Sequence, residues 1–336
     1  MMKNENSGLR RRLIPVCLAL VVLAAGWFTM RMFRNREIRP LPEPTPAERK
    51  LETRLREHVT KLASEIGARH VYLPAALEKT ARYIERTFRE AGLEPLRETF
   101  EADEAPVSNI VVTIEGATVP DEIVVVGAHY DSVPGCPAAN DNGSGVAALL
   151  EIARHFRERR PGCTLRLIAF VNEEPPWFQT LEMGSLVHAR AAKKRGDNIV
   201  AMISLETIGY FTDDRKTQEY PAPLSMFYPD TGNFIGFVGN LGSRALVSSC
   251  AESFRSHTTF PAEVATLPGW MPGVGWSDHW AFWQVGYRAV MVTDTAPFRY
   301  PHYHESTDTP DKLVYDRMAL VVSALASLVE DLVRRE

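Results

Sequence analysis

Apolar residues recur at two spacings along this chain, and the switch between them maps its elements. Leu51, Leu55, Val59 and Leu62 stand about one helical turn apart in a charged segment, which predicts an amphipathic helix over 47–66. A second helix is expected over 74–91, where Pro74 suits a first-turn position and Gly92 the C-terminal cap. Apolar runs bounded by turn residues predict strands at 94–101, 108–115, 122–129, 164–171, 199–205, 234–238 and 289–292. Periodic segments between them predict a helix from Val146 that ends before Pro161, helices at 183–195 and 244–254, and a closing helix at 314–333. Strands that alternate with helices imply an α/β fold, with a mixed, mostly parallel central sheet flanked by helices on both faces of a single domain.

The N-terminus follows another pattern. Leu13 to Met30 is almost wholly apolar and uncharged over about 18 residues, near the lower limit for a membrane span. Lys3, Arg10, Arg11 and Arg12 precede it, and Arg31, Arg34, Arg36 and Arg39 follow it. Such crowding by arginines argues against a buried core helix. The expected order is a basic tail at 1–12, a transmembrane signal anchor at 13–30, an Arg/Pro-rich linker at 31–46 and the folded domain at 47–336. The domain is then membrane-anchored and exported, in the periplasm or outside the cell. The alternative is a cleavable signal peptide, for which Ala24-Ala25-Gly26 supplies small residues. Pro40 to Pro46 reads as a stiff spacer.

The net charge is −4, with no basic stripe beyond the N-terminus, so no nucleic-acid partner is expected. Cys136, Cys163 and Cys250 remain once the N-terminal Cys17 is set aside, and no two cysteines form a CxxC pair. An odd number argues against a fully paired disulfide framework, and buried free thiols are the expectation.

Polar residues gather where the predicted strands end. His129 and Asp131 close one strand, and Asp141 lies in the Pro- and Gly-rich loop after it. Glu173-Glu174 and Glu206 follow two further strands, and a late cluster from Tyr300 to Pro310 adds His304 and Asp308. Singly, each has an ordinary explanation: a structural histidine, a solvated Glu-Glu pair, a turn or cap aspartate. Together they lie at the edge where open α/β sheets place ligands. Crowded carboxylates repel one another unless cations relieve them, and a His/carboxylate donor set suits zinc.

In order, His129-Tyr-Asp131, Asn-Asp141-Asn-Gly-Ser-Gly, Asn-Glu173-Glu174, Leu-Glu206, Ser277-Asp278-His279 with Gly286-Tyr-Arg-Ala, and His304 with Asp308 resemble the M28 family of co-catalytic zinc aminopeptidases. The resemblance runs from about Thr60 to the C-terminus. It implies a zinc-exopeptidase fold, two Zn2+ per chain, and hydrolysis of peptides with a free N-terminus by a metal-bridging hydroxide. Asp141 is then the bridging ligand, with His129 and Glu206 completing one site and Glu174 and His304 the other. The resemblance makes Glu173 the general base and has Asp131 orient the His129 ring, with Asp278 and Asp308 as outer partners. It also implies a cis peptide at Asp141–Asn142.

Two departures stand out. Many relatives have Asp where this chain has Glu206, and the tyrosine some place before Ser-Asp-His is missing, which leaves Trp276 or Tyr210 as candidate oxyanion donors. His302 rivals His304, but the spacing to Asp308 favours His304. Trp177, Phe178 or Trp270 are candidates to line a specificity pocket, whereas Trp280 and Trp283 read as core. Two other functions compete: a glutaminyl-cyclase-like acyltransferase, a class that typically uses one zinc, and a non-catalytic binding ectodomain. The second would be marked by lost ligands, and none is missing.

Overall fold

Three nearly unbroken apolar runs lie side by side at the centre of the computed structural model, which describes residues 41–334. They are β3 (Val119–His129), β4 (Cys163–Phe170) and β5 (Asn198–Glu206), and β3 pairs in parallel with both neighbours. Residues buried on both faces make strands apolar throughout. Val124, Val126, Leu165 and Leu167 join the main core, while Ile123, Val125, Ile168 and Phe170 join a second one.

The sheet has eight strands in the order β1-β2-β4-β3-β5-β8-β6-β7. β1 (Leu96–Ala102) and β2 (Ala105–Ile114) form an antiparallel edge, and β2 meets β4 antiparallel. β8 (Ala289–Thr293) pairs with β5 in parallel. β6 (Ile235–Gly239) runs antiparallel to β8, and β7 (Ala262–Thr266) pairs with β6 in parallel. β7 is absent from the sequence reading, because Ala-Glu-Val-Ala-Thr is short and only half apolar.

One face is covered by α1 (Pro46–Thr60), α2 (Pro74–Glu90), α3 (Gly145–His155), α5 (Arg244–His257) and α7 (Tyr315–Val333). The other face carries α4 (Gly184–Arg195) and the short α6 (His279–Gln284), which pack over the β3–β4–β5 region. The helix expected over 47–66 changes pitch: Lys61–Ile66 is a single π-helical stretch that ends at Gly67 with φ 82°. Thr45 caps α1 in a reciprocal arrangement with Glu48, and Leu41 already packs against the core. Cys136, Cys163 and Cys250 are buried free thiols.

The expected anchor at 13–30 lies outside the described residues. Among the described residues no helix is long and apolar enough to cross a membrane.

Candidate metal centre

The parallel strands deliver their last side chains to one edge. His129 ends β3 and Glu206 ends β5. β4 stops at Phe170, and Asn172 turns the chain with φ 59°. Glu173 and Glu174 therefore sit outside the ladder, free of the alternation that would splay them in a strand. Their amides point the same way: Glu173 N donates to Asp131 Oδ1 at 3.2 Å and Glu174 N to Asp131 Oδ2 at 3.1 Å. Asp131 Oδ1 also lies 3.6 Å from His129 Nδ1. One buried carboxylate thus joins the end of β3 to the segment after β4.

The loop carrying Asp141 is held from two sides. Arg69, fully buried, donates to the carbonyls of Tyr130 (2.7 Å), Pro137 (2.7 Å) and Ala138 (2.9 Å). Asp308 accepts from the amides of Asn140 (2.9 Å) and Asp141 (3.1 Å) and from the Tyr300 hydroxyl (2.8 Å). The Asp141–Asn142 peptide is cis.

Asp141 then faces two imidazoles, one with each oxygen. Oδ1 is 3.3 Å from His129 Nε2, which is 3.3 Å from Glu206 Oε2. Oδ2 is 3.1 Å from His304 Nε2, which is 3.2 Å from Glu174 Oε2. Glu173 Oε2 stands 3.7 Å from His129 Nε2, beside both sets rather than between their members. The structure brings His304 into this group, whereas His302 bonds the Thr307 hydroxyl at 2.8 Å. Ser277 Oγ donates to Glu206 Oε2 at 2.7 Å, which holds the longer glutamate side chain in place. Asp278, at the start of α6, is fully buried, and burial pushes its carboxyl up to about 7.

The electrostatics fit a missing positive charge. Burial, then the neighbouring Asp141, pushes Glu174 up to about 8. Burial, with Glu206, Glu174 and Asp278 nearby, holds Glu173 well above the carboxylate range. Burial and then Asp141 also raise Glu206. Burial alone would lower both histidines, yet the carboxylates win: His129 moves well above its ordinary value and His304 to about 10. Burial likewise opposes ionisation of Asp141, but the two imidazoles facing it keep its carboxyl low. His129 Nε2, His304 Nε2 and Glu174 Oε1 are buried without a hydrogen-bond partner among the described residues. One donor atom each from His129, Asp141 and Glu174 lies within 4.8 Å of the other two. Orphaned imidazole nitrogens facing crowded carboxylate oxygens are the donor set of a zinc site.

Beside this centre lies a cavity of about 100 Å3, and Glu206 and Tyr303 form part of its lining. Tyr303 stacks on His304 with ring centroids 3.9 Å apart. Burial and the carboxylates Asp141, Glu174, Glu206 and Glu173 raise its hydroxyl well above the ordinary phenol value. The sequence reading missed Tyr303, although it directly precedes His304. Of the two donors named instead, Tyr210 packs on Tyr300 and Trp276 stacks on Phe298 at the cavity wall. The cavity is also not lined by the aromatics expected. Trp177 and Phe178 pack against the two cores, and Trp270 is 81% exposed. Trp280 and Trp283 pack against the second core, as expected.

An α/β sheet with a His/carboxylate centre at the carboxyl ends of its parallel strands has the architecture and donor set of a metal-dependent enzyme. The chain belongs to peptidase family M28, whose model matches residues 109–329. It is 34% identical over 323 residues to the uncharacterized Escherichia coli (strain K12) protein YfbL, covering 94% of this chain and 98% of that one. A probable zinc metalloprotease of Leptosphaeria maculans is 27% identical over 230 residues, which span 62% of this chain and 51% of the fungal protein. Among solved structures, the Bacillus subtilis zinc aminopeptidase BSAP superposes with a TM-score of 0.68 at 17% identity, over 88% of this chain and 97% of that one. A Fimbriiglobus ruber glutaminyl cyclase shares the fold too, with a TM-score of 0.60 at 20% identity over 88% and 99% of the two chains. The protein is thus a metallopeptidase of the zinc-dependent kind by family.

Proposed function

We propose that this protein is a di-zinc aminopeptidase that removes N-terminal residues from peptides. The observation that carries the reading is Asp141, whose two oxygens face His129 and His304 separately, each imidazole having its own glutamate. His129, Asp141 and Glu206 would hold one ion, and Glu174, His304 and the second oxygen of Asp141 the other. Bound zinc lowers the pKa of water and polarises a carbonyl.

The chain's own residues supply the rest. Glu173, outside both donor sets, accepts the proton of the attacking water and returns it to the leaving amine. The Tyr303 hydroxyl donates a hydrogen bond to the carbonyl oxygen as charge develops on it. Asp131 fixes the His129 ring and both glutamate amides. A free α-amine beside the ions and their carboxylate ligands would favour chain ends over internal bonds.

The test pairs metal content with turnover of aminoacyl anilides. Activity that a chelator abolishes and zinc restores, with close to two ions per chain, supports the reading; one ion per chain with no turnover refutes it. The glutaminyl-cyclase reading, which rests on the shared fold, predicts instead release of ammonia from peptides with N-terminal glutamine and no anilide hydrolysis. We also propose that residues 13–30 anchor the protein in a membrane with the domain exported. Recovery of the full chain in the soluble cytoplasmic fraction would refute that placement.

A further inference from the structure

The chain enters its domain at the end of the sheet away from the metal centre. α1 starts at Pro46 and runs toward the metal edge. Arg56, near its end, lies over the ring of Tyr315, 4.0 Å from the centroid, at the start of α7. α7 in turn starts beside the segment after β5, where Val314 N donates to the Gly209 carbonyl at 2.9 Å. Beyond α1 the chain reaches Arg69, which holds the Asp141 loop. The 15 residues of α1 rise about 22 Å, so Pro46 stands that far back from the metal edge, and Leu41, just ahead of it, packs against the main core.

α3 runs beside α1 in the opposite direction. Arg54 Nε donates to Glu151 Oε2 at 2.8 Å, and the residues of α1 before Arg54 lie along the last turn of α3. The turn after α3 leads into Cys163, the first residue of β4. Ala117 and Thr118 donate to the carbonyls of Pro161 and Gly162 at 2.9 Å, and Gly162 N donates to Val333 O at 2.8 Å. These bonds fix the turn to the start of β3 and the end of α7. The eight residues of β4, roughly 25 Å at about 3.3 Å each, separate it from the metal edge.

This turn is basic. Arg154, Arg157, Arg159 and Arg160 are exposed, and Glu158 is the one acid among residues 154–160. Elsewhere exposed arginines such as Arg56, Arg82, Arg86, Arg89 and Arg215 sit against carboxylates. Arg154, Arg157 and Arg160 form no ion pair among the described residues. The acids at the end of α7 are taken: Glu330 by His155 at 2.9 Å and Arg159 at 3.5 Å, and Asp331 by His257 at 2.7 Å.

Resting on the reading of residues 13–30 as a membrane anchor, we infer that this basic end docks on the anionic phospholipid headgroups of the same bilayer and turns the metal centre away from it. The ten residues from Arg31 to Pro40 span at most about 35 Å. A domain of this size is about 50 Å across. The tether is therefore shorter than the domain, and the end at which the chain enters is the one held near the headgroups. Unpaired guanidinium groups on that end complement anionic phosphate. Substrates then reach the metal centre from the aqueous side.

The test uses the full-length chain in phosphatidylcholine vesicles with and without phosphatidylglycerol, and reads amide hydrogen exchange by mass spectrometry. An arginine near an anionic surface contributes about five-fold to binding, so three contribute about a hundred-fold. Exchange across residues 156–162 is expected to slow at least about five-fold when phosphatidylglycerol is present. Residues 213–216, held beside the start of α7 by the Asp213–Arg317 pair, are expected to exchange equally in both vesicles. About 1 M salt, which shortens the screening length to about 3 Å, is expected to remove the difference. The combined variant Arg154→Gln, Arg157→Gln and Arg160→Gln is expected to remove it too, with an unchanged Tm because these side chains are exposed. Equal exchange of 156–162 in the two vesicles would overturn the inference. So would protection of 213–216 instead, or protection that survives in the triple variant, which would assign the attraction to the linker arginines. If the chain fails to float with neutral vesicles, the anchor reading fails. Flotation with anionic vesicles that the triple variant weakens about a hundred-fold would then still support the basic end as a headgroup surface, and flotation unchanged in that variant would overturn it.

Discussion

Replacing Asp131 with asparagine probes how the metal centre is held without touching any proposed ligand. Asp131 accepts two amide hydrogen bonds, from Glu173 at 3.2 Å and Glu174 at 3.1 Å, and lies 3.6 Å from His129 Nδ1. The residue is 2% exposed, so water cannot substitute for it. Asparagine keeps one acceptor oxygen and turns an NH2 group toward the other amide, setting donor against donor. Each bond to a charged acceptor is worth about 1.5–3 kcal/mol, and at least one is lost. Since 1.4 kcal/mol is ten-fold, Asp131→Asn is expected to weaken zinc affinity about ten- to a hundred-fold. Competition against a fluorescent zinc chelator measures this on folded protein, and melting of the metal-free form separates it from general destabilisation. Zinc affinity within about two-fold of the parent, in a variant that melts normally, would refute the role given to Asp131.

The other predictions concern the base and the charge balance. Glu173→Gln is expected to lower kcat by about 10²–10⁴ while leaving bound zinc unchanged, because Glu173 belongs to neither donor set; a variant that turns over normally, or one that loses its metal, contradicts the assignment. In metal-free protein, Glu174 rises from 4.5 to about 8 and His304 from 6.5 to about 10. Both shifts are upward, so each contributes stability that is complete below its unfolded pKa and lost as pH rises through its folded one. Asp141 is shifted the other way, and its contribution is lost only in acid. The chelated protein is therefore expected to show a falling Tm between about pH 4.5 and 10 that added zinc abolishes; a flat or rising Tm in chelator would show that these groups do not titrate as a cluster.

The edge that carries the candidate metal centre was legible in the sequence because its donors follow strands whose apolar runs are unmistakable. His129 and Glu206 fall on the final residues of β3 and β5. What lay beyond sequence reading depends on contacts between remote segments. The sharing of Asp131 between Glu173 and Glu174 needs Asn172 to turn the chain, and although asparagine tolerates a positive φ, its place straight after a strand does not say that this one adopts it. Tyr303 sits next to His304, yet its part emerges only when its ring is seen stacked on that imidazole and facing the carboxylates. Trp177, Phe178 and Trp270 do not line the cavity beside the centre, and aromatic content alone does not reveal which part of a sheet face lacks a helix. β7 carries too few apolar residues to announce itself, although without it that open face would be narrower.

The two imidazoles differ sharply in their surroundings. The His129 side chain is 1% exposed and the His304 side chain 32%, the latter on a turn where His304 itself has φ 61°. Ions seated at these two positions would differ in their access to the medium, the outer one held beside a surface turn and the inner one between two strand ends. Partial depletion would then yield a half-loaded protein with a defined vacancy, into which a spectroscopically active metal can be placed beside an undisturbed neighbour.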